Sequence, residues 1–226
     1  MRTTSRKADG LKIGVLALQG AFREHEQVLG ELGVRPVEVR NPADLNGCDG
    51  LVLPGGETTT QRKLAQTYGL WQPLERLGRQ GIPILATCAG LILLAKRIDG
   101  EEGSSLGLLD VDVNRNAYGR QVFSFETLLS VPRFASSSAN GSPFRAIFIR
   151  APRIVRVGEA VSVLASHQGE AVAVEQGNLV GLCFHPELTE DRRFHRTFLE
   201  AVRRHRASTG VRDRCDEKAR EIRESL

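Results

Sequence analysis

Apolar residues follow two rhythms along this chain, and the switches between them outline its architecture. Residues 12–18 carry Ile13, Val15, Leu16 and Leu18 with little polar interruption, which predicts a buried strand closed by Gly20. From residue 21 to 32 the apolar positions Phe22, Val28, Leu29 and Leu32 share one helical face, and Gly33 stops that helix. Residues 34–39 return to strand. Asp49-Gly50 signals a turn before a short third strand at 51–53. Pro54-Gly55-Gly56-Glu57-Thr58-Thr59-Thr60 leads into a polar helix, and another helix follows near residues 71–79. Between 82 and 94 a strand-like run ends in small residues at Cys88 and turns at once into a helix-like run. Strand and helix in alternation predict an α/β domain with a mostly parallel central sheet.

The second half reads differently. Residues 106–131 show strand-like alternation, as at Leu109, Val111 and Val113, and residues 136–143 form a Ser/Asn/Gly loop by composition. Further strands are expected at 146–149, 162–165, 171–174 and 178–184. A closing amphipathic helix is expected at 191–205, with Phe194, Phe198, Leu199 and Val202 inward. The predicted domain spans 12–206, with residues 1–11 and 207–226 as flexible or loosely helical extensions. Ser208-Thr209-Gly210 reads as a helix stop.

Composition narrows the class. At 226 residues and 41% hydrophobic, the chain supports one domain with a substantial core. The first ten residues are polar and basic, without the apolar segment of a secretory signal, and no stretch is long enough to span a bilayer. Cys48, Cys88, Cys183 and Cys215 show neither metal-site spacing nor a disulfide pattern, which favours a reducing, cytoplasmic setting. The net charge of +4 sits largely in the termini, mixed there with acidic residues. With only 5% aromatic residues for base stacking, a nucleic-acid role is disfavoured.

The candidate chemistry centres on Cys88. A thiol on a strand-to-helix elbow stands at the top of a sheet beside a helix N-terminus, a setting that suits a nucleophile. A buried core cysteine is the plain alternative. Near the other end, His185-Pro186-Glu187 follows a predicted strand, and in extended chain both ionisable side chains leave on the same side. A base and a carboxylate to orient it are what a cysteine nucleophile needs, and strand ends collect on one edge of a parallel sheet. Gly55-Gly56 permits close approach of backbone to a ligand, or a peptide that rotates.

Thr87-Cys88-Ala89-Gly90 together with His185-Pro186-Glu187 resembles the triad-type, class I glutamine amidotransferases. Leu18-Gln19-Gly20-Ala21-Phe22-Arg23-Glu24-His25, the segment from Arg115 to Gln121, Phe148-Ile149-Arg150-Ala151-Pro152 and the segment from Phe184 to Asp191 are similar to one branch, the glutaminase subunits of pyridoxal 5'-phosphate synthase. The resemblance implies a three-layer, flavodoxin-like sheet with helices on both faces. It implies hydrolysis of L-glutamine without cofactor or metal, and ammonia passed to a synthase subunit. Cys88 would be the nucleophile, His185 the base and Glu187 its orienter. Gly56, Glu57, Thr58, Arg115, Ile149 and Arg150 would bind glutamine, with the N–H groups of Gly56 and Ala89 as oxyanion donors. Arg115 or Arg150 would hold the substrate's α-carboxylate. The chain departs from the family pattern at Thr58, where serine is usual, and at Ala86, where glycine is usual. The 136–143 loop and the tail after His205 fall outside it. An amidotransferase serving another acceptor, or a binding protein that keeps the fold without turnover, are the competing readings. The flanking segments and the complete triad argue against them.

Overall fold

The computed structural model describes residues 10–115, 124–135 and 142–224. Strand β1 (Lys12–Leu16) leads through helix α1 (Phe22–Glu31) to β2 (Arg35–Val39), and β3 (Gly50–Leu53) precedes α2 (Thr58–Thr67) and α3 (Trp71–Arg79). Strand β4 (Ile84–Thr87) passes into α4 (Ala89–Leu94) and then β5 (Ala95–Ile98). The remainder comprises β6 (Leu109–Asn114), β7 (Ser124–Leu129), α5 (Pro132–Ala135), β8 (Phe144–Ile149), β9 (Arg153–Val157), β10 (Ser162–His167), β11 (Glu170–Gln176), β12 (Leu179–Leu182) and α6 (Arg193–Glu224).

The central sheet has seven strands in the order β10-β11-β12-β4-β3-β1-β2. The five from β12 to β2 are parallel, and β10 and β11 join antiparallel at the edge. The mostly parallel sheet expected from the alternating pattern is therefore present. Register shows how the layers form, because side chains alternate between faces. A Cβ on Gly50 would meet Val202 of α6 at 2.6 Å, and one on Gly181 would meet Leu91 of α4 at 2.6 Å. Val52 of β3 is level with Leu85 of β4, and Ala86 of β4 is level with Gly181 of β12. Gly50, Val52, Leu85 and Thr87 thus face α6, while Ala86 and Gly181 face α4. The sheet is covered on both sides, as continuous apolar strands require.

A three-stranded sheet, β5-β6-β9, and a ribbon, β7-β8, complete the described fold. Phe144, Phe148, Phe184 and Phe194 are almost fully buried against one another and tie the ribbon to the exit of β12 and the start of α6. Strands β5 and β9 and helix α5 were not anticipated from the sequence. Strand β12 ends at Leu182, short of the expected 184. The expected helix stop at Ser208-Thr209-Gly210 does not interrupt α6, which continues to Glu224. Residues 116–121 of one family-like segment and 136–141 of the Ser/Asn/Gly loop lie outside the described residues. No helix among the described residues is long and apolar enough to cross a membrane.

Candidate active site

Strands β3, β4 and β12 are adjacent and parallel, so their C-terminal ends meet on one edge, where such sheets bind ligands. Three loops leave that edge: Pro54 to Glu57, the Cys88 elbow, and Cys183 to His185.

Cys88 joins β4 to α4 with no intervening residue. Its backbone lies at φ 48° and ψ −104°, which costs a non-glycine residue on the order of 1–3 kcal/mol. The neighbours hold it there. Its N–H donates to the Leu182 carbonyl at 2.8 Å, continuing the β4–β12 ladder by one rung. Gly90 lets α4 approach β3 closely, since a Cβ there would fall on the Leu53 carbonyl. The thiol is 6% exposed, and Sγ lies 3.7 Å from the carbonyl oxygen of Ile149. Cys48 and Cys183 sit outside this setting, and burial pushes both of their thiols up.

His185 follows β12, and its N–H donates to the Ile147 carbonyl of β8 at 2.9 Å. Pro186 to Leu188 form a 3-10 turn rather than the extended chain expected, consistent with proline's fixed φ at a first helical position. The pairing survives the change: Nδ1 of His185 lies 2.7 Å from Oε1 of Glu187, with both residues buried. Burial works against charge on His185. Hydrogen bonds to Cys88 and Glu187 outweigh it, and its pKa is pushed up to about 10. Burial likewise opposes the Glu187 anion, but His25 and His185 together hold the carboxyl below its usual range.

A cleft of about 420 Å³ opens over the thiol. Gly56, Glu57, Thr58, Cys88, Arg115, Ile149, Arg150 and His185 all line it. Glu187 stands behind His185, and Ala89 is buried at the first position of α4, outside the lining. Glu57 caps α2, its carboxylate accepting from the N–H groups of Thr59 at 3.2 Å and Thr60 at 2.7 Å. Arg115 is partly engaged by Asp99, with Nε donating to Oδ2 at 2.8 Å. Arg150, at φ 45°, follows Ile149, whose carbonyl faces the thiol. Gly20, Ala21, Gly55, Thr59 and Ile92 complete the lining. All five stand in segments already singled out in the sequence, although none of them was named there as a glutamine-binding residue.

Residues 15–204 match the SNO glutamine amidotransferase family. The chain belongs to that family. It is 50% identical over 193 residues to the pyridoxal 5'-phosphate synthase subunit PdxT of Thermotoga neapolitana, covering 85% of this chain and all of that one. The PdxT subunit of Bacillus velezensis is 47% identical over 201 residues, covering 89% and 100%. A crystal structure of a glutamine amidotransferase superposes with a TM-score of 0.77 at 46% identity, over 84% of this chain and 98% of that one.

In this member of the family the site rests on a second layer of polar residues. His25 of α1 and His195 of α6 are both 0% exposed, with His25 Nδ1 3.0 Å from His195 Nε2. His25 Nε2 lies 3.2 Å from Thr87 Oγ1 and 3.3 Å from Glu187 Oε2. The Gly55 N–H donates to the same Thr87 Oγ1 at 3.0 Å. The Gly55 carbonyl accepts from Ala21 N–H at 3.0 Å. The Gly55–Gly56 peptide is trans, so the Gly56 N–H points the other way. Buried Gln61 donates to the carbonyls of Gln19 and Pro54, at 2.9 and 3.1 Å. Helical spacing would have found the histidines: His25 lies on the Phe22, Val28, Leu29 face of α1, and His195 beside Phe194 and Phe198 on the inner face of α6.

Proposed function

We propose that this chain hydrolyses L-glutamine to L-glutamate and ammonia through a cysteine thioester, and delivers the ammonia to a synthase subunit that makes pyridoxal 5'-phosphate. The observation that carries the reading is the Cys88 elbow, held at a strained φ of 48° beside a His185–Glu187 pair 2.7 Å apart at the next strand end. The PdxT relatives, matched over their full length, support the pathway and the partner.

Cys88 is the nucleophile. His185 takes the thiol proton, Sγ attacks the carboxamide carbon, and the carbonyl π electrons move to oxygen. The N–H groups of Gly56 and Ala89 stabilise that oxyanion, a contribution of about 3 kcal/mol per donor in comparable sites. Collapse of the intermediate breaks the C–N bond. His185 returns its proton to the leaving nitrogen, so ammonia departs and a thioester remains. Water, deprotonated by His185, attacks the thioester, and Sγ leaves with the proton restored to it. Glu187 orients the imidazole and favours its charged form. Glu57, Thr58, Ile149, Arg115 and Arg150 surround the amino-acid end of the substrate, where an arginine fork suits the α-carboxylate. Residues 12–206 constitute the glutaminase domain.

The test is ammonia release from L-glutamine by the wild-type chain and Cys88→Ala, each with and without the synthase subunit. Cys88-dependent release that the synthase subunit increases, chiefly through kcat, is expected. No release under either condition would refute the assignment.

A further inference from the structure

The His25–His195 pair is not part of the triad, yet both imidazoles are fully buried within hydrogen-bond distance of groups that shape the site. Buried polar side chains are costly unless each has a defined partner, so their proton positions follow from the contacts. Among the described residues Glu187 Oε2 makes no well-aligned hydrogen bond, and Nε2 of His25 stands 3.3 Å from it. A lone pair on Nε2 at that distance from a carboxylate would be repulsive, which places the proton on Nε2. Nδ1 of His25 is then an acceptor, and the proton between the rings belongs to Nε2 of His195. Nδ1 of His195, which has no hydrogen-bond partner among the described residues, is left as a lone pair. The opposite arrangement would bury an unpaired N–H at His195 and set a lone pair against Glu187 at the same time.

We propose that His25, its tautomer fixed by His195, is a positioning residue for two parts of the site at once. Its Nε2–H is shared between Glu187 Oε2 and Thr87 Oγ1. On the first branch it holds the carboxylate whose other oxygen orients His185. On the second it sets the hydroxyl that accepts from Gly55 N–H, and so the glycine loop beside the thiol. Neither branch touches substrate. The ionisable groups facing His25 are Glu187, His185 and His195 from the neighbouring elements and Glu24 from its own helix, and His195 also faces Arg192.

The inference rests on the roles proposed for Cys88, His185 and Glu187, and its test separates the two. His25→Gln and His25→Asn are both polar. The glutamine amide reaches the position of Nε2, whereas the asparagine amide reaches only that of Nδ1. In the complete chain with its synthase subunit, His25→Gln should keep kcat close to wild type. His25→Asn should lower kcat by about tenfold or more, the worth of one hydrogen bond to a charged group, with KM little changed. The acid limb of the pH profile should move up by about one unit in His25→Asn only, because Glu187 loses a donor to its anion. Alkylation of Cys88 by iodoacetamide across pH gives a second readout that needs no glutamine turnover, and its profile should shift in the same variant. Equal kcat and equal pH profiles in the two variants would overturn the proposal. Wild-type chain without Cys88-dependent ammonia release, but with the alkylation shift intact, would instead count against glutamine hydrolysis and leave the positioning role standing.

Discussion

Lowering the pH from about 7 to about 5.5 should destabilise this protein more steeply than the titration of its surface carboxylates explains. His25 and His195 are stored inside the fold, and burial, the largest influence on each, holds both below the usual histidine range, His195 well below it. Glu187 favours a proton on His25 but does not overcome its burial. The sign follows from proton counts. Below the unfolded histidine value the unfolded chain binds a proton at each site that the folded chain does not, so stability falls as pH falls. A group that stays neutral when folded contributes a loss of about 1.3 kcal/mol over that interval. His195, held well below the usual range, gives about 1.3 kcal/mol, or roughly 3–5 °C in melting temperature for a chain of this size, and His25 adds to it in the same sense.

The measurement is a urea or thermal unfolding series across that pH range, made in a Cys88→Ala background so that the thiol proton shared with His185 does not enter the count. His195 should contribute close to one proton taken up on unfolding at the acid end of that range; His25 adds in the same sense, and His185, which Glu187 favours in its charged form, opposes them. Replacing His195 with phenylalanine should remove its proton from the slope. A linkage slope that His195→Phe leaves unchanged from about pH 7 to about pH 5.5 would refute the reasoning, since a neutral imidazole cannot be exposed there without binding a proton.

Four further outcomes follow from the same geometry. A glutamine analogue bearing an electrophile should label Cys88 and spare Cys48 and Cys183, whose burial keeps them as thiols; peptide mapping decides, and label concentrated elsewhere counts against the nucleophile. His185→Asn should lose nearly all turnover, while Glu187→Gln, which leaves an imidazole in place, should retain more; steady-state ammonia release ranks them. Gly55→Ala should lower kcat by about a hundredfold, because the new Cβ falls on the His185 ring, and a crystal structure of the variant should show that ring displaced. Truncation after Arg206 should change melting temperature and activity little, since Val202 is the last buried side chain between Arg193 and Thr209; a large drop would show that the tail is held against the domain.

The elements that could be read from the sequence are those whose signal is local. Residues 71–79 show helical spacing and residues 51–53 an unbroken apolar run, and both formed as expected. Strand β5 failed this test because Ala95 continues the apolar run of α4; pairing with Leu109 ends the helix there, and no local pattern announces it. Strand β9 is likewise set by β6, through pairs such as Val111 with Val157. Helix α6 passes Gly210 because a single glycine costs a helix only about 1 kcal/mol. The triad was legible because each part carries its own cue, an elbow or a His-Pro-Glu segment. The layer behind it was legible only in part, since helical spacing turns His25 and His195 inward without showing what they meet. His25 meets Thr87 across 62 positions and His195 across 170, so only the packing of α1 and α6 on one face of the sheet brings them together.

That packing explains why the strained elbow and its support can coexist in a short segment. Successive residues of a strand point to opposite faces. Thr87, the last residue of β4, points into the face shared with α1 and α6, where its hydroxyl meets both His25 and the Gly55 N–H. Cys88, one position later, leaves the strand at the edge and enters the cleft. Adjacent residues thus supply the reacting atom and the anchor for the loop facing it. The strain at Cys88 persists because β4 is paired on both sides, to β3 and β12, and cannot slide to relieve it. A slip of one position would send Thr87 towards α4 and withdraw its hydroxyl from His25. It would also carry the thiol out of line with His185. The register of β4 therefore couples the nucleophile to the buried histidines, and disturbing either end should be felt at the other.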